Sequence, residues 1–349
     1  MKIFPRLVRR LVPRRKFAAL LPLLALAATA CSRQPEPQNI LDPQGPVSRQ
    51  LDRLWNPVFA IAVVIFILVE GLILFVGFRY RAKSDDDAPV QVHGNTKMEI
   101  GWTVLPAVIL VVIGFFTVAT LVDLDRVPKG DVVTVNVVGH QWWWEYDYPE
   151  YKVKTANELH IPVGREVVVH VTSADVIHSF WAPALAGKMD AIPGRNNHLK
   201  LQADKPGQTY LGQCTEYCGL SHANMRIRVV THTQADFAKW VAEQQRPASV
   251  PKSGEAAEGV ALFRAKGCAG CHAVSGFSEG AVGPDLTHLY SRNTFAGALF
   301  QLDEQNLRLW LRDPSARKPM NPTKGLGMPN LNLTEDEIGK LIAFLETLR

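Results

Sequence analysis

Apolar positions follow four different rhythms along this chain, and each predicts a different kind of element. Residues 18–30 form a short apolar run behind a basic segment, too short to cross a bilayer as a helix. Residues 57–78 (PVFAIAVVIFILVEGLILFVGF) and 102–122 (WTVLPAVILVVIGFFTVATLV) are continuous apolar stretches, each long enough to span ~30 Å of hydrocarbon. From about residue 131 the pattern changes to short β-rich runs, VVTVNVVGHQWWW, REVVVHVTS, HLKLQ, TYLGQ and MRIRVV, divided by the turns IPVG, IPGR and KPGQ. These predict an antiparallel β-sandwich or barrel, ending in a helix over ADFAKWVAEQQ. RPASVPKSG, residues 246–254, reads as a linker, and residues 255–349 are helical in EAAEGVALFRAKG, EQNLRLWLRD and TEDEIGKLIAFLETL. Thr334 and Glu337 are spaced for a capping box at the start of the last of these. No internal repeat is visible.

Charge refines this picture at the N-terminus. The first thirty residues carry seven Lys/Arg and no acid, so a whole-chain charge of +5 becomes about −2 for the remainder. The basic balance therefore belongs to a leader and gives no reason to expect a nucleic-acid partner. Basic run, short apolar run and the small triplet Ala28-Thr29-Ala30 are the three parts of a secretory signal, residues 1–30. Cys31 follows the triplet where a lipidated cysteine would stand. Ala28 occupies the position where leucine is usual, so acylation of Cys31 and ordinary cleavage both stay open.

Residues 31–122 then form an N-terminal segment and a two-span hairpin. Arg79, Arg81, Lys83 and Lys97 mark the loop between the spans as cytoplasmic, which puts everything after residue 122 outside. Glu70 lies within the first span and should face protein or water; packing against a partner subunit or a part in proton handling are its two readings.

The remaining four cysteines fall in two close pairs, Cys214 with Cys218 and Cys268 with Cys271. In an exported chain, close pairs read first as disulfides. CTEYCGLSHANM, residues 214–225, also contains His222 and Met225, and thiolate, imidazole and thioether together select a soft redox metal such as copper. With a distant histidine this set suits a mononuclear site of one Cys, two His and an axial Met; with both thiolates turned inward it suits two bridged copper ions. KGCAGCHAV holds Cys268-x-x-Cys271-His272, the attachment signature of a c-type haem with His272 as proximal ligand. Three consecutive tryptophans in GHQWWWEYDY, taken alone, read as packing.

GQCTEYCGLSHANM resembles the binuclear copper loop of the cytochrome c oxidase subunit II family, and SADVIHSFWAPALAGKMDAIPGR resembles the segment supplying that family's first histidine. The resemblance implies a cupredoxin-like β-sandwich over residues 123–245 with copper ligands His178, Cys214, the Glu216 backbone carbonyl, Cys218, His222 and Met225. It implies that the Glu216 side chain points to a magnesium shared with a partner subunit. Aligned on GHQW, Trp142 is the exposed residue through which electrons arrive, while Trp143 and Trp144 are packing residues. His140, His160, His170, His198 and His232 are read as strand or turn residues without metal. Glu99, three residues before Trp102, stands where the family places a carboxylate at the mouth of a proton channel; an ordinary interfacial glutamate is the other reading.

Residues 255–349 are similar to class I cytochromes c, an all-α fold. GMPNLNLTEDEIGKLIAFL resembles that pattern of ligand methionine, proline and final helix, which makes Met328 the sixth iron ligand and Met320 the alternative. GPDLTHL resembles the proline loop, with the Pro284 carbonyl orienting His272.

The resemblance as a whole covers nearly all of residues 50–349 and is to subunits II with a fused cytochrome c. It implies an inner-membrane, two-span electron-transfer subunit that works with oxidase subunits I and III. Its donor would be a cytochrome c or a quinol–cytochrome c reductase. The small subunit of a nitric oxide reductase carries the same copper site and is a rival reading. A periplasmic copper-delivery lipoprotein is another, against which the haem signature argues. A quinol-oxidase subunit II is disfavoured because the copper cysteines are present.

Overall fold

The computed structural model describes residues 38–81, 84, 91, 93–128 and 130–349. The leader, Cys31 and Lys83 lie outside the described residues.

Two long helices come first, α1 (Pro46–Arg79) and α2 (Thr96–Asp125), and both are apolar and long enough to cross a membrane. They contain the two expected spans and extend them by several turns at the N-terminus of α1. Asn95 caps α2 by accepting from the backbone N–H groups of Lys97 and Met98. The side chains of both spans are largely exposed, from Phe66 to Phe78 and from Leu105 to Val122, so lipid or other subunits must cover them.

The β-domain that follows is a sandwich of two five-stranded sheets. One runs β3 (Val153–Ala156), β2 (Trp143–Tyr148), β1 (Val133–His140), β5 (Val167–Ser173), β8 (Asn197–Leu201). The other runs β4 (Glu158–Pro162), β10 (Arg226–His232), β9 (Thr209–Cys214), β6 (His178–Trp181), β7 (Met189–Ala191). Strict alternation along β1 buries Val133, Val135 and Val137 against Leu159, Ile161, Ile227 and Val229 of the facing sheet. The sheets are mixed, not purely antiparallel as the short-strand pattern suggested: β1 pairs with β5, and β4 with β10, in parallel. Residues far apart in the chain supply those neighbours, so local pattern could not give their direction.

Helix α3 (Gln234–Gln244), capped by Thr233, packs against β3, β4 and β10. Its Trp240 stacks on His160 with ring centroids 4.4 Å apart, and His160 Nδ1 lies 2.8 Å from His232 Nε2. Burial and the neighbouring His232 hold His160 well below the usual imidazole range; burial also lowers His232. Folding therefore releases protons that the unfolded chain binds once the pH falls below the ordinary value of 6.5, so stability should fall with acid. His160 alone can contribute a slope of up to about 1.4 kcal/mol per pH unit. Urea unfolding of the full chain at about pH 7.5 and about pH 5 checks this, and equal midpoints would refute it.

The last domain is helical. α4 (Gly254–Ala265) crosses α7 (Glu335–Leu345) through Phe263 and Phe344, with the short turn α5 (Cys268–Cys271) and α6 (Glu304–Arg312) around them. The capping box at Thr334 and Glu337 is present. Two minimal ribbons, His272–Val274 with Ser278–Ala281 and Thr294–Phe295 with Phe300–Gln301, are added to the all-α expectation. Hairpin, sandwich and helical domain belong to one compact unit, Gln38–Arg349.

Candidate functional site: a sulfur–imidazole cluster beside an apolar cavity

The end of β9, the loop after it and the start of β6 bring one ligand set together. His178 Nδ1, Cys214 Sγ and Cys218 Sγ lie within 4.8 Å of one another, all buried. Cys218 Sγ is 3.6 Å from His222 Nδ1 and 3.9 Å from Met225 Sδ, and Cys214 Sγ is 3.2 Å from the Glu216 carbonyl oxygen. The two sulfurs stand 3.8 Å apart as free cysteines, far beyond a disulfide bond. Cys218 and His178 pull the Cys214 thiol below the usual thiol range, and the neighbouring Cys214 pushes Cys218 up. Two thiolates 3.8 Å apart and out of water repel each other, and a soft cation between them would let both ionise. The residues present fit a copper centre.

His178 is oriented from behind. Its Nε2 donates to Asp175 Oδ1 at 2.8 Å, which fixes the tautomer and leaves Nδ1 turned to the sulfurs. Burial works against a charged His178, but Asp175 and Cys214 outweigh it and raise its pKa. Asp175 also accepts from the backbone N–H groups of Gln141 and Val176, at 2.7 and 2.6 Å. Gly139 makes room for the imidazole, since a Cβ there would lie 2.7 Å from His178 Cδ2.

Next to this cluster is a cavity of about 500 Å³ in the helical domain. Cys268, Cys271, His272 and Met328 all line it. His272 Nδ1 donates to the Pro284 carbonyl at 2.8 Å, which leaves Nε2 available as a ligand, and burial lowers its pKa toward the neutral form a metal requires. Trp310 Nε1 donates to Met328 Sδ at 3.2 Å. Arg292, 7% exposed, lines the same cavity with its Nε unpartnered, as a site for an anionic group would demand. The cavity fits a haem.

Sandwich residues complete its wall: His140, Gln141, Trp142 and Trp143 line it too. Trp142 is therefore only 3% exposed, where an exposed residue was expected, because the helical domain covers it. Its indole Nε1 donates to the Cys218 carbonyl at 2.9 Å, tying the cavity wall to the sulfur cluster. Trp143 stacks on His140, and Trp144 is fully buried against His178 and Phe180. His170 and His198 are paired across β5 and β8, and neither lines the cavity or belongs to the sulfur–imidazole cluster. Glu99 occupies the first turn of α2, and Glu70 is exposed within α1. Met320 also lines the cavity but packs against the sandwich core.

The sequence profiles for cytochrome c oxidase subunit II match this chain in its transmembrane domain at residues 34–120 and its periplasmic domain at 152–232, and a cytochrome c profile matches 256–349. Cytochrome c oxidase subunit 2 of Alkalihalophilus pseudofirmus is 37% identical over 94% of this chain and 96% of its own length. The chain belongs to the cytochrome c oxidase subunit II family. It carries a C-terminal cytochrome c domain, spans the inner membrane and places its C-terminal region in the periplasm. Quinol oxidase subunit 2 of Bacillus cereus is 34% identical over 69% of this chain and 83% of its own length. The crystal structure of the periplasmic domain of subunit II from Bradyrhizobium japonicum is 38% identical, covering 34% of this chain and 97% of that one, with a TM-score of 0.33.

Asp175, Arg292, Trp310 and Lys318 were not singled out from sequence. Only Asp175 left a signal there, as an acid three residues before His178.

Proposed function

We propose that this subunit takes electrons from a cytochrome c, or from a quinol–cytochrome c reductase, and delivers them through a binuclear copper centre to oxidase subunit I. Haem c would be attached to Cys268 and Cys271 and ligated by His272 and Met328. Two copper ions would be held by His178, Cys214, the Glu216 carbonyl, Cys218, His222 and Met225. When bound, these groups supply the redox couples that carry electrons to the partner, where oxygen is reduced and protons are pumped. The protein's own part is to set distance, potential and dryness.

One observation carries the reading. Trp142 borders the cavity and also donates to the carbonyl of Cys218, so a single side chain bridges the two sites. It is itself buried, only 3% exposed. Fusion in one chain holds donor and acceptor domains at high effective concentration.

Beside the copper ligands, Ile177, Tyr217 and Leu220 are exposed apolar side chains, suited to covering by subunit I. Exposed Glu216 there would reach the shared magnesium. Glu99 would stand at the cytoplasmic mouth of subunit I's proton channel, and subunit III would cover further faces of the hairpin. Overall likeness extends to a quinol oxidase subunit, so the donor is argued from the haem-binding motif and the copper ligands.

Stopped-flow reduction of the purified, membrane-anchored chain loaded with both metals tests this. The c-type band should reduce first and the near-infrared copper band follow at a rate independent of protein concentration. Copper that takes no electrons from the haem would overturn the relay.

A further inference from the structure

The boundary between the sandwich and the cytochrome domain contains two buried ionisable side chains, one from each side. Glu158 of β4 is 1% exposed, and its carboxylate accepts from the backbone N–H of Asn293 at 2.9 Å, the N–H of Thr294 at 2.7 Å and the Thr294 hydroxyl at 2.6 Å. The other nearby ionisable groups are His160, whose Nε2 is 3.9 Å from the carboxylate, and the guanidiniums of Arg228, half-buried, and Arg292, buried. Lys318 of the cytochrome domain is 3% exposed, and its ammonium donates to the Trp142 carbonyl at 2.6 Å and to the Ala296 carbonyl at 2.9 Å.

Neutral contacts fill the space between these points. Ser221 Oγ donates to the Pro319 carbonyl at 2.5 Å, and the Arg226 N–H to the Gly297 carbonyl at 2.9 Å. Gly297 has φ +82°, and a Cβ there would lie 2.7 Å from the Trp142 carbonyl oxygen and 3.0 Å from that of Asn224. The two surfaces meet without room for a side chain at this position.

A buried charge is tolerated only when its hydrogen bonds are made. Glu158 takes its hydrogen bonds from the cytochrome domain, while Lys318 gives one to Trp142 of the sandwich and one to Ala296 of its own domain, so separating the domains would leave Glu158 unpaired and Lys318 with one of its two bonds until water reached them. A domain swinging on residues 246–254 has no use for such contacts.

We propose that Glu158 and Lys318 are positioning residues that lock the cytochrome domain onto the copper domain, with residues 140–143 as a fixed wall of the haem cavity. The inference deepens the relay reading and rests on it for its functional consequence. Lys318 matters most directly: it grips the main chain of Trp142, whose side chain grips Cys218, so the cytochrome domain is joined to a copper ligand by two successive hydrogen bonds. The haem-to-copper step then needs no domain search. An external donor is barred from Trp142 and must reach the haem from the cytochrome domain's outward side, where Val282, 71% exposed, borders the cavity.

The test compares wild type with Glu158→Gln, Lys318→Met and the double variant in the full, metal-loaded chain. Hydrogen exchange should show Asn293 and Thr294 protected in wild type and about tenfold or more less protected in the double variant, since each change weakens or removes hydrogen bonds across the boundary. Haem-to-copper transfer should slow about tenfold or more and become viscosity-dependent, with reduction of the haem by dithionite unchanged. Unaltered haem and copper bands establish that the variants are folded; if they are lost, Thr294→Val, which removes only the hydroxyl donor, is read for exchange in the same way.

Wild-type amides at 293 and 294 exchanging as fast as those of the linker, or variants retaining full protection and a viscosity-independent rate, would overturn the lock. A wild type that is protected at both amides yet passes no electron refutes the relay and leaves the lock standing.

Discussion

Cys214→Ser should empty the copper site while leaving haem c in place. The Cys214 sulfur is central to the cluster, 3.9 Å from His178 Nδ1, 3.8 Å from Cys218 Sγ and 3.2 Å from the Glu216 carbonyl. Serine offers a hard oxygen that stays protonated at neutral pH, where a soft metal needs thiolate. One sulfur then remains, and two ions cannot be bridged. Asp175→Asn is the graded comparison. It keeps all six proposed ligand atoms and alters only the bond that orients His178, so copper affinity should fall ~10–100-fold, the usual effect of losing an outer partner. Cys214→Ser should exceed that. Its near-infrared copper band should disappear while the haem bands stay, and electrons placed on the haem should remain there. Copper retained with a wild-type band would refute the bridging assignment.

Much of this site could be read along the chain because its ligands are close in sequence. Cys214, Cys218, His222 and Met225 share one loop, and the cysteine pair and His272 are contiguous, so spacing alone exposes them. The long spans and the capping box at Thr334 were equally local. What the sequence hid is non-local. Glu158 reads as one more strand residue until the fold brings residues 293 and 294 to it, and Lys318 is one of thirty-eight Lys/Arg in the chain, with no pattern to mark it. Trp142 was expected to be exposed for the same reason: the resemblance defined its own domain, but the surface that covers it comes from residues 296–320. Parallel pairing of β1 with β5 likewise depends on a crossover that no short window contains.

The sixth haem ligand is where two nearby residues compete, and exchanging each for leucine should separate them. Met328 and Met320 both line the cavity. Met328 packs with the cytochrome core, and Trp310 Nε1 holds its sulfur at 3.2 Å. A thioether that accepts one weak hydrogen bond keeps a second lone pair, so this contact orients the sulfur without blocking ligation. Met320 packs with the sandwich core instead and lies two residues beyond Lys318, in the segment fixed to Trp142 and Ser221. Recruiting it to iron would pull on those interdomain bonds. Met328→Leu should therefore lower the potential of haem c by on the order of a hundred millivolts and abolish the sulfur-to-iron charge-transfer band, because loss of a methionine ligand removes what raises it. Met320→Leu should keep both the band and the potential, with only the packing of the interface disturbed. The two variants are read by redox titration of the c-type band. A fall in Met320→Leu with Met328→Leu unchanged would reverse the assignment, and the cytochrome domain would then be ligated by the same segment that locks it to the copper domain.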